Sequence, residues 1–346
     1  MLLGTHKLRP TFFIGLGGSG GRVVDVLARR LANDPNFDRF ADLVHFIAVD
    51  TDQNDLGRLH REVHKSNISI ANKPRRIALH RGEAAGLSED RRITSWVHPT
   101  YRFREHSNAG AGQIRLEARY SLHCQILEQQ PQNLMEILRK QFQRALRAGA
   151  PNRGSERIRV HLWASTAGGT GSGASLVVAN LVRKLAAELG AEAEVFGNFF
   201  LPSLFRDRVA PALVAKIEAN GYAALKEIER FQELRYEGGP DPLELVFDPT
   251  GAHDKAVAPG DRVERAPFDW VYLVDRPEAM TIDEIYAAAG EAAYLQLFTP
   301  ILGYQEREGD NFRQLQTRLA AGYFALQNGA IGASVVELPR ERLVRY

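Results

Sequence analysis

Two glycine-rich loops, each following a short apolar run, constrain the fold of this chain more than any other feature. The first loop, Gly15–Gly21, follows the apolar run Thr11–Leu16, and the second, Ala164–Ser175, follows Ile158–Trp163. Apolar residues recur at helical spacing after each loop, and we expect the second helix to begin near Ala174. Glycine-rich turns between a strand and a helix let several backbone N–H groups converge on one anion, so both loops are candidate phosphate-binding loops.

Strand and helix patterns alternate along the chain, which predicts an α/β fold with a doubly wound parallel sheet. The predicted strands are Thr11–Leu16, Leu43–Val49, Arg76–Leu79, Ile158–Trp163, Glu194–Phe200 and Trp270–Asp275. The predicted helices include Gln113–Leu127, Gln132–Leu146 and Thr281–Leu302. The segment Glu237–Ala266 is rich in Gly, Pro and Asp, which indicates an insertion or a hairpin. Ligands of such sheets bind at the carboxyl ends of the strands, where both glycine loops fall.

Composition narrows the class of protein. The 346 residues, of which 44% are hydrophobic, suffice for one large core or two smaller ones. The formal net charge of +2 gives no overall attraction to nucleic acid. The single cysteine, Cys124, cannot form an internal disulfide, and the chain has no apolar run long enough to cross a bilayer. We therefore expect a cytoplasmic protein with no membrane span and no nucleic-acid partner.

The first glycine loop alone also fits a dinucleotide-binding fold. Its sequence matches GxGxxG, and the next predicted strand ends at the acidic Asp50 and Asp52, which such a fold uses on ribose. A single GxGxxG match is weak evidence, and this interpretation gives no function to the second loop. The second loop lacks the lysine of the P-loop pattern GxxxxGK[ST], so anion binding there would depend on backbone dipoles.

Five segments, taken in order along the chain, resemble the nucleotide loops of the tubulin/FtsZ superfamily of polymerising GTPases, most closely its bacterial tubulin-like branch. The segments are GLGGSGG at Gly15–Gly21, VDTDQNDL at Val49–Leu56, AGAGQIR at Ala109–Arg115, AGGTGSG at Ala167–Gly173 and FLPSLFRDR at Phe200–Arg208. The resemblance covers nearly the whole chain. It implies a GTP-binding domain with a long central helix, and GTP or GDP with Mg²⁺ as ligands.

The resemblance assigns the phosphates to three of these segments. The candidate phosphate-binding residues are Gly17, Gly18, Ser19, Gly20, Gly21, Gly110, Ala111, Gly112, Gly168, Gly169, Thr170, Gly171 and Ser172. Tight turns alone also account for the glycines, and 110–112 equally fits a flexible loop that caps the following helix. Asp50 and Asp52 are candidate Mg²⁺ ligands because hard carboxylate oxygens suit this ion. N-capping of the next helix is the alternative role for these two residues.

The predicted helix Thr281–Leu302 resembles the long central helix that contacts the base in the superfamily. Its start has a capping-box pattern, with Glu284 three residues after Thr281. The resemblance places Tyr286 over the base and Glu291 near the guanine edge. A carboxylate there accepts from guanine N1–H and its amine but repels the acceptor edge of adenine, which favours GTP. A solvent-exposed helix face is the alternative for Glu291.

The sugar loop and the catalytic loop match the superfamily less well. Arg206 and Asp207 fall where relatives carry an acidic and a basic residue, but in the opposite order, so which one meets ribose stays open. The resemblance implies that hydrolysis is completed between head-to-tail subunits, with Asp310 as the candidate for water activation and Glu308 behind it. The superfamily spacing NxDxxD is absent, and one alignment puts Asn311, which is not a base, at that position.

The resemblance divides the chain into a nucleotide-binding domain at 1–304 and a second region at 305–346 with the catalytic loop. Within the second region, Gly322–Leu338 resembles only the start of a second domain. A fragment of a longer protein and a branch that lost this module both remain open. The chain is thus expected to be a GTP-binding protein and a self-associating GTPase. A nucleotide-gated scaffold with protein partners and no turnover, and a dinucleotide-dependent oxidoreductase, are the alternatives.

Overall fold

The computed structural model describes residues 8–35, 37–39, 41–60, 65–69, 97–98, 100–101, 103, 110–127, 134–149, 157–235, 243–244, 262–277, 279–298 and 328–330. Their nine strands are β1 Thr11–Leu16, β2 Val44–Asp50, β3 Lys65–Ser69, β4 Arg157–Ser165, β5 Glu192–Phe200, β6 Leu243–Glu244, β7 Arg262–Val263, β8 Trp270–Val274 and β9 Asn328–Ala330. Their seven α-helices are α1 Gly17–Ala32, α2 Gln53–Arg58, α3 Arg115–Leu127, α4 Leu134–Gly149, α5 Gly169–Glu188, α6 Pro211–Gln232 and α7 Ile282–Phe298.

Seven of these strands form one sheet in the order β3-β2-β1-β4-β5-β8-β9, and every neighbouring pair is parallel. Alternate residues of β1 point to opposite faces of the sheet. Phe12 packs in a core with helices α3, α4, α5 and α6, whereas Phe13 packs in a second core with α1 and α7. Helices therefore cover both faces, and the predicted α/β doubly wound parallel sheet is confirmed.

The third strand of the sheet was not predicted. It is Lys65–Ser69, with the sequence KSNIS, in which only Ile68 is a buried apolar residue. Such a sequence has no apolar run or alternation to indicate a strand. The strand expected at Arg76–Leu79 lies outside the described residues.

The helices begin inside both glycine-rich loops. For the second loop this corrects the expected helix start near Ala174. Helix α1 begins at Gly17 and helix α5 at Gly169. Glycine is a poor helix former, so the sequence favoured loops here, but close packing decides. A Cβ on Gly20 would overlap the Trp163 carbonyl oxygen of β4, and a Cβ on Gly173 would overlap the Arg115 carbonyl oxygen. Only glycine allows these helices to approach their neighbours so closely.

Two predicted segments near the end of the chain are described in part. The short strands β6 and β7 lie within Glu237–Ala266 and pair antiparallel with each other. The sequence predicts that Gly322–Leu338 starts a second domain; of this segment the structure describes Asn328–Ala330, which pair with β8 at the edge of the main sheet. Among the described helices, none is both long and apolar enough to cross a lipid bilayer.

Candidate functional site

The two glycine loops meet at the carboxyl end of the sheet. Strands β1 and β4 are adjacent, with Leu16 in register with Ala164, so the helices that follow them begin side by side. Gly17 has a φ of 74°, and a Cβ on it would lie 3.3 Å from the backbone nitrogen of Gly171. One cavity of about 210 Å³ is lined by the first three residues of both helices, Gly17, Gly18, Ser19, Gly169, Thr170 and Gly171.

Both helix ends are electrostatically positive. The first N–H groups of an α-helix have no partner within the helix, and the helix dipole adds a partial positive charge there. Neither α1 nor α5 has an acidic residue in its first turn or a side-chain cap that accepts from these N–H groups. Two uncapped helix N-termini therefore converge on one cavity, which is an arrangement suited to an anion with several charged oxygens.

Asp50, the last residue of β2, lies against this cavity and is buried. Its Oδ1 accepts from the hydroxyl of Thr170 at 2.9 Å and from the backbone nitrogen of Asp52 at 3.2 Å. The hydroxyls of Thr51 and Thr170 are also hydrogen-bonded, at 2.8 Å. Burial raises the pKa of Asp50 to about 6, although the bond from Thr170 acts in the opposite direction. Near neutral pH the cavity therefore holds a negative charge beside two positive helix ends.

Asp52 is the N-cap of helix α2. Its side chain accepts from the backbone nitrogens of Asn54 at 2.8 Å and Asp55 at 3.2 Å, so the capping alternative describes this residue. Asp50, Asp52 and Asp55 all line the cavity. Among the described residues, no group of three or more His, Cys, Asp or Glu side chains is arranged to hold a metal ion. A Mg²⁺ ion here would need ligand oxygens and waters besides these carboxylates, which is its common coordination.

The third predicted loop packs against the end of β2. Gly110 and Gly112 have φ values of 66° and 56°, and the backbone nitrogen of Ala111 donates to the Thr51 hydroxyl at 3.0 Å. A Cβ on Gly110 would lie 2.7 Å from the backbone nitrogen of Asp52. Of the three residues, only Gly112 lines the cavity. Gly110 and Ala111 therefore support the acidic segment rather than face the cavity.

A second cavity, of about 320 Å³, continues from the first towards helix α7. The two cavities share the lining residues Gly17, Gly18, Ser19, Asp50 and Asp55. The far end of the second cavity is lined by Arg22, Arg208, Asp283 and Tyr286. The Tyr286 hydroxyl donates to Ser19 Oγ at 3.0 Å, and its ring packs edge-to-face on Phe200. Burial raises the pKa of Tyr286, so its hydroxyl stays protonated near neutral pH.

Glu291, the candidate for the guanine edge, lines neither of the two cavities. Its carboxylate pairs with Arg30, near the end of α1, at 3.4 Å. Arg30 in turn stacks over the ring of Tyr294. The reason is the packing of α7 on α1, because Gly290 is the residue that faces Val26 at the helix contact and Glu291 is turned to the side.

The sugar loop contributes different residues from those predicted. Arg206 pairs with Glu218 at 2.7 Å and Asp207 with Arg276 at 2.9 Å, and neither lines a cavity. The loop instead presents Phe205 and Val209 to the first cavity and Arg208 to the second.

Three predicted phosphate contacts are also placed differently. Gly20 packs against β4 and lines neither cavity, whereas Gly21 lines the second. The Ser172 hydroxyl donates to the carbonyl oxygen of Gly168, at the start of its own helix. The Thr170 hydroxyl is bonded to Asp50 and Thr51.

Sequence reasoning missed four charged residues at the cavities. Arg22 directly follows the first glycine loop, and Asp55 lies in the segment VDTDQNDL, so position within a motif was an available signal for both. Arg208 ends the sugar loop, and Asp283 lies three residues before Tyr286 on one face of α7. The candidate catalytic residues Asp310 and Glu308 lie outside the described residues.

Several solved structures are similar to this chain at low identity. They include CetZ from Methanosaeta thermophila, with 17% identity, a TM-score of 0.40, and coverage of 84% of this chain and 53% of CetZ. CetZ1 from Haloferax volcanii has 15% identity, a TM-score of 0.43, and coverage of 90% and 64%. TubZ from Bacillus thuringiensis serovar israelensis has 14% identity, a TM-score of 0.39, and coverage of 85% and 57%. The chain thus spans less than two thirds of the length of these proteins.

No curated protein sequence matches the chain. A family model does: the model described as "Tubulin like" matches residues 12–346, which is nearly the whole sequence. The order of the five loop motifs and the parallel sheet agree with that match. The protein therefore belongs to the tubulin-like family.

Proposed function

We propose that this protein binds a guanine nucleotide, GTP or GDP, with its polyphosphate between the first turns of α1 and α5. One observation carries the proposal: the first three residues of both helices line a single cavity, and neither helix has an acidic residue in its own first turn. A polyphosphate has enough charged oxygens to meet both sets of N–H groups at once. Membership of the tubulin-like family supports the choice of a guanine nucleotide.

The carboxylate of Asp50 requires a counter-charge in this arrangement. At neutral pH it is ionised and lies beside the same helix ends that would hold phosphate. Mg²⁺ bound with the nucleotide would supply that charge, with Asp50 and Asp52 as its protein ligands. Phosphate oxygens and waters would complete the shell, because the described carboxylates alone form no metal site.

The nucleoside then extends into the second cavity. There the ring of Tyr286 supplies an apolar surface, and Arg22, Arg208 and Asp283 are the charged groups within reach. Within the described part of the chain, none of these three side chains is engaged in a hydrogen bond or an ion pair. These side chains replace Glu291, Arg206 and Asp207 as the candidates for base and sugar contacts.

We further propose that the protein acts in the cytoplasm as a GTPase that self-associates head to tail. A head-to-tail interface whose rotation does not close produces an open filament. Asp310, with Glu308 behind it, remains the candidate for activating water at such an interface. A scaffold that binds nucleotide and partner proteins without turnover remains the alternative, favoured by the poor match of the segment around Asp310 to the superfamily's catalytic loop.

The decisive experiment is a titration of purified protein with GTP, GDP, ATP and NAD in Mg²⁺ buffer, with mass spectrometry of any ligand that copurifies. Guanine nucleotide bound in preference to the others supports the proposal. A copurified flavin or nicotinamide, or preference for NAD, would favour the dinucleotide-dependent oxidoreductase and overturn it.

Sedimentation and phosphate release, measured with and without GTP, then separate the two tubulin-like roles. GTP-dependent polymer with phosphate release that is lost in Asp310→Ala supports the GTPase. Polymer or partner binding without phosphate release would leave the scaffold and remove the GTPase. Undiminished release by Asp310→Ala would move catalysis to another residue.

A further inference from the structure

A buried carboxylate on helix α1 has no role in the site described so far. Asp25 lies on the face of α1 that packs into the core, among Val23, Val24 and Leu27. Its side chain is 5% exposed. A position with such neighbours ordinarily holds an apolar residue, because a carboxylate loses its hydration there and needs strong partners.

Two of the contacts of Asp25 are with His60. The backbone nitrogen of His60 donates to Asp25 Oδ1 at 2.9 Å, and the His60 ring nitrogen Nδ1 lies 3.0 Å from Asp25 Oδ2. Arg29, one turn further along α1, adds a guanidinium at 3.4 Å. Each of the two carboxylate oxygens thus contacts His60, which fixes the direction of the chain at His60 as well as its distance.

His60 comes directly after the segment that borders both cavities. Helix α2 ends at Arg58, and Leu59 and His60 follow it. Asp55 of α2 lines both cavities, and a Cβ on Gly18 would lie 2.8 Å from its carboxylate. Leu59 lines the second cavity and would touch a Cβ on Gly21. The position of this segment therefore sets part of the shape of both cavities.

Helix α2 has only six residues, too few to be stable without support from outside. It is held at its start by the side chain of Asp52, which caps its first N–H groups, and at its end by the bonds between His60 and Asp25. Removal of the second anchor would weaken the hold on the end of α2, where the packing of the buried Leu59 would remain.

We propose that Asp25 is a positioning residue, which holds α2 against both cavities through His60 and thereby sets the affinity of the site for a nucleoside triphosphate. The proposal rests on the proposed function of the cavities for its second half only. The anchoring of α2 is a property of the unliganded chain and is measured without any nucleotide.

Hydrogen exchange on the nucleotide-free protein tests the anchor. In Asp25→Leu, which places an apolar side chain on an apolar helix face, amides 53–60 should exchange about tenfold faster, while amides 174–186 of α5 stay unchanged. His60→Ala leaves α1 intact and should increase exchange of the same segment. Arg29→Ala is the matched control, because it removes the neighbouring charge but neither bond to His60. Unchanged exchange of 53–60 in both Asp25→Leu and His60→Ala would overturn the anchor.

Affinity for Mg²⁺-GTP tests the consequence. If α2 is in place in only a tenth of the molecules, the apparent affinity falls about tenfold. Asp25→Asn keeps an oxygen that accepts from the His60 backbone, so its loss of affinity should be smaller than that of Asp25→Leu. Faster exchange with unchanged affinity would overturn the link to the site. A wild-type chain that does not bind GTP overturns the proposed function and the affinity effect, whereas the exchange result still decides the anchor by itself.

Discussion

The first turns of α1 and α5 are alike in sequence but differ in exposure. Gly17, Gly18 and Ser19 are half-buried, whereas Gly169, Thr170 and Gly171 are buried. The polar side chain of the α1 turn, Ser19, is bonded to α7 across the second cavity, while Thr170 is bonded inward to Asp50. The α1 turn is therefore the more accessible surface for a ligand, and the α5 turn is the packed floor beneath it.

The largest expected difference between the two turns is in tolerance of an added methyl group. A Cβ on Gly171 would lie 2.6 Å from the backbone oxygen of Ser165, whereas one on Gly18 would lie 2.8 Å from the Asp55 side chain. A backbone atom cannot move aside as a surface side chain can. Gly171→Ala should therefore lower the free energy of unfolding by about 3 kcal/mol, and Gly18→Ala by less than about 1 kcal/mol.

Chemical denaturation of the nucleotide-free protein measures both values. Gly168→Ala is the matched control on the second loop, because no atom lies within 4 Å of an added Cβ and the residue is not in the left-handed region. Equal losses for Gly171→Ala and Gly18→Ala would contradict the view that one turn is packed and the other accessible.

The strands beneath the two turns also differ, because β4 carries a titratable histidine that makes the stability of the fold depend on pH. Phe13 of β1 is in register with His161 of β4, and His161 stacks between Phe13 and Phe196. Burial, with a smaller contribution from the positive charge of Arg159, lowers the pKa of His161 to about 3. The unfolded chain takes up a proton below about pH 6.5 while the folded chain does not, so stability is lost as the pH falls below that value.

The loss from His161 should be about 2 kcal/mol at pH 5 relative to pH 8. His161→Phe continues the aromatic stack without a titratable group, and its unfolding free energy should fall by that much less over the same pH range. Denaturant titrations of both proteins at the two pH values give the comparison. An identical pH dependence for wild type and His161→Phe would place the acid sensitivity in other residues.

The difference between local signals and tertiary contacts explains which parts of the fold the sequence predicted. The strands before both loops and the meeting of the loops at one sheet edge followed from apolar runs and glycine spacing, which are local signals. Lys65–Ser69 carried no such signal, because its pairing with β2 rather than its side chains makes it a strand. Glu291 pairs with Arg30 and Arg206 pairs with Glu218, and these contacts depend on tertiary packing that spacing along the chain does not report.

The bond between Asp50 and the α5 turn gives a prediction on ligand binding. At pH 8, which is above the pKa of about 6, Asp50 is charged and should oppose a phosphate that lacks Mg²⁺. Asp50→Asn should therefore increase affinity for GTP in EDTA by about tenfold, or about 1.4 kcal/mol. With Mg²⁺ present the variant should gain nothing, since the carboxylate is then a ligand.

Calorimetric titration with and without Mg²⁺ measures this difference. Asp42→Asn is a suitable control, because Asp42 pairs with Arg144 and lines neither cavity. A gain in affinity that is the same in EDTA and in Mg²⁺ would show that Asp50 does not interact with the metal-bound nucleotide.

The smallest expected effects on stability come from removing the hydroxyl groups of Thr170 and Ser19, one in each turn. Thr170→Ala removes a donor to the buried Asp50, so it should lower the free energy of unfolding by about 1 kcal/mol. Thr170→Ser keeps the hydroxyl and should lose less. Ser19→Ala removes a bond at a half-buried position, where water can replace Ser19 as the partner of Tyr286, and its cost should be a few tenths of a kcal/mol. For nucleotide affinity the order should reverse, because Ser19 lines both cavities, whereas Thr170 lines only the first and its hydroxyl is bonded to Asp50 and Thr51. If Thr170→Ala weakens GTP binding more than Ser19→Ala does, then the α5 hydroxyl turns to the ligand and the floor is less fixed than its hydrogen bonds indicate.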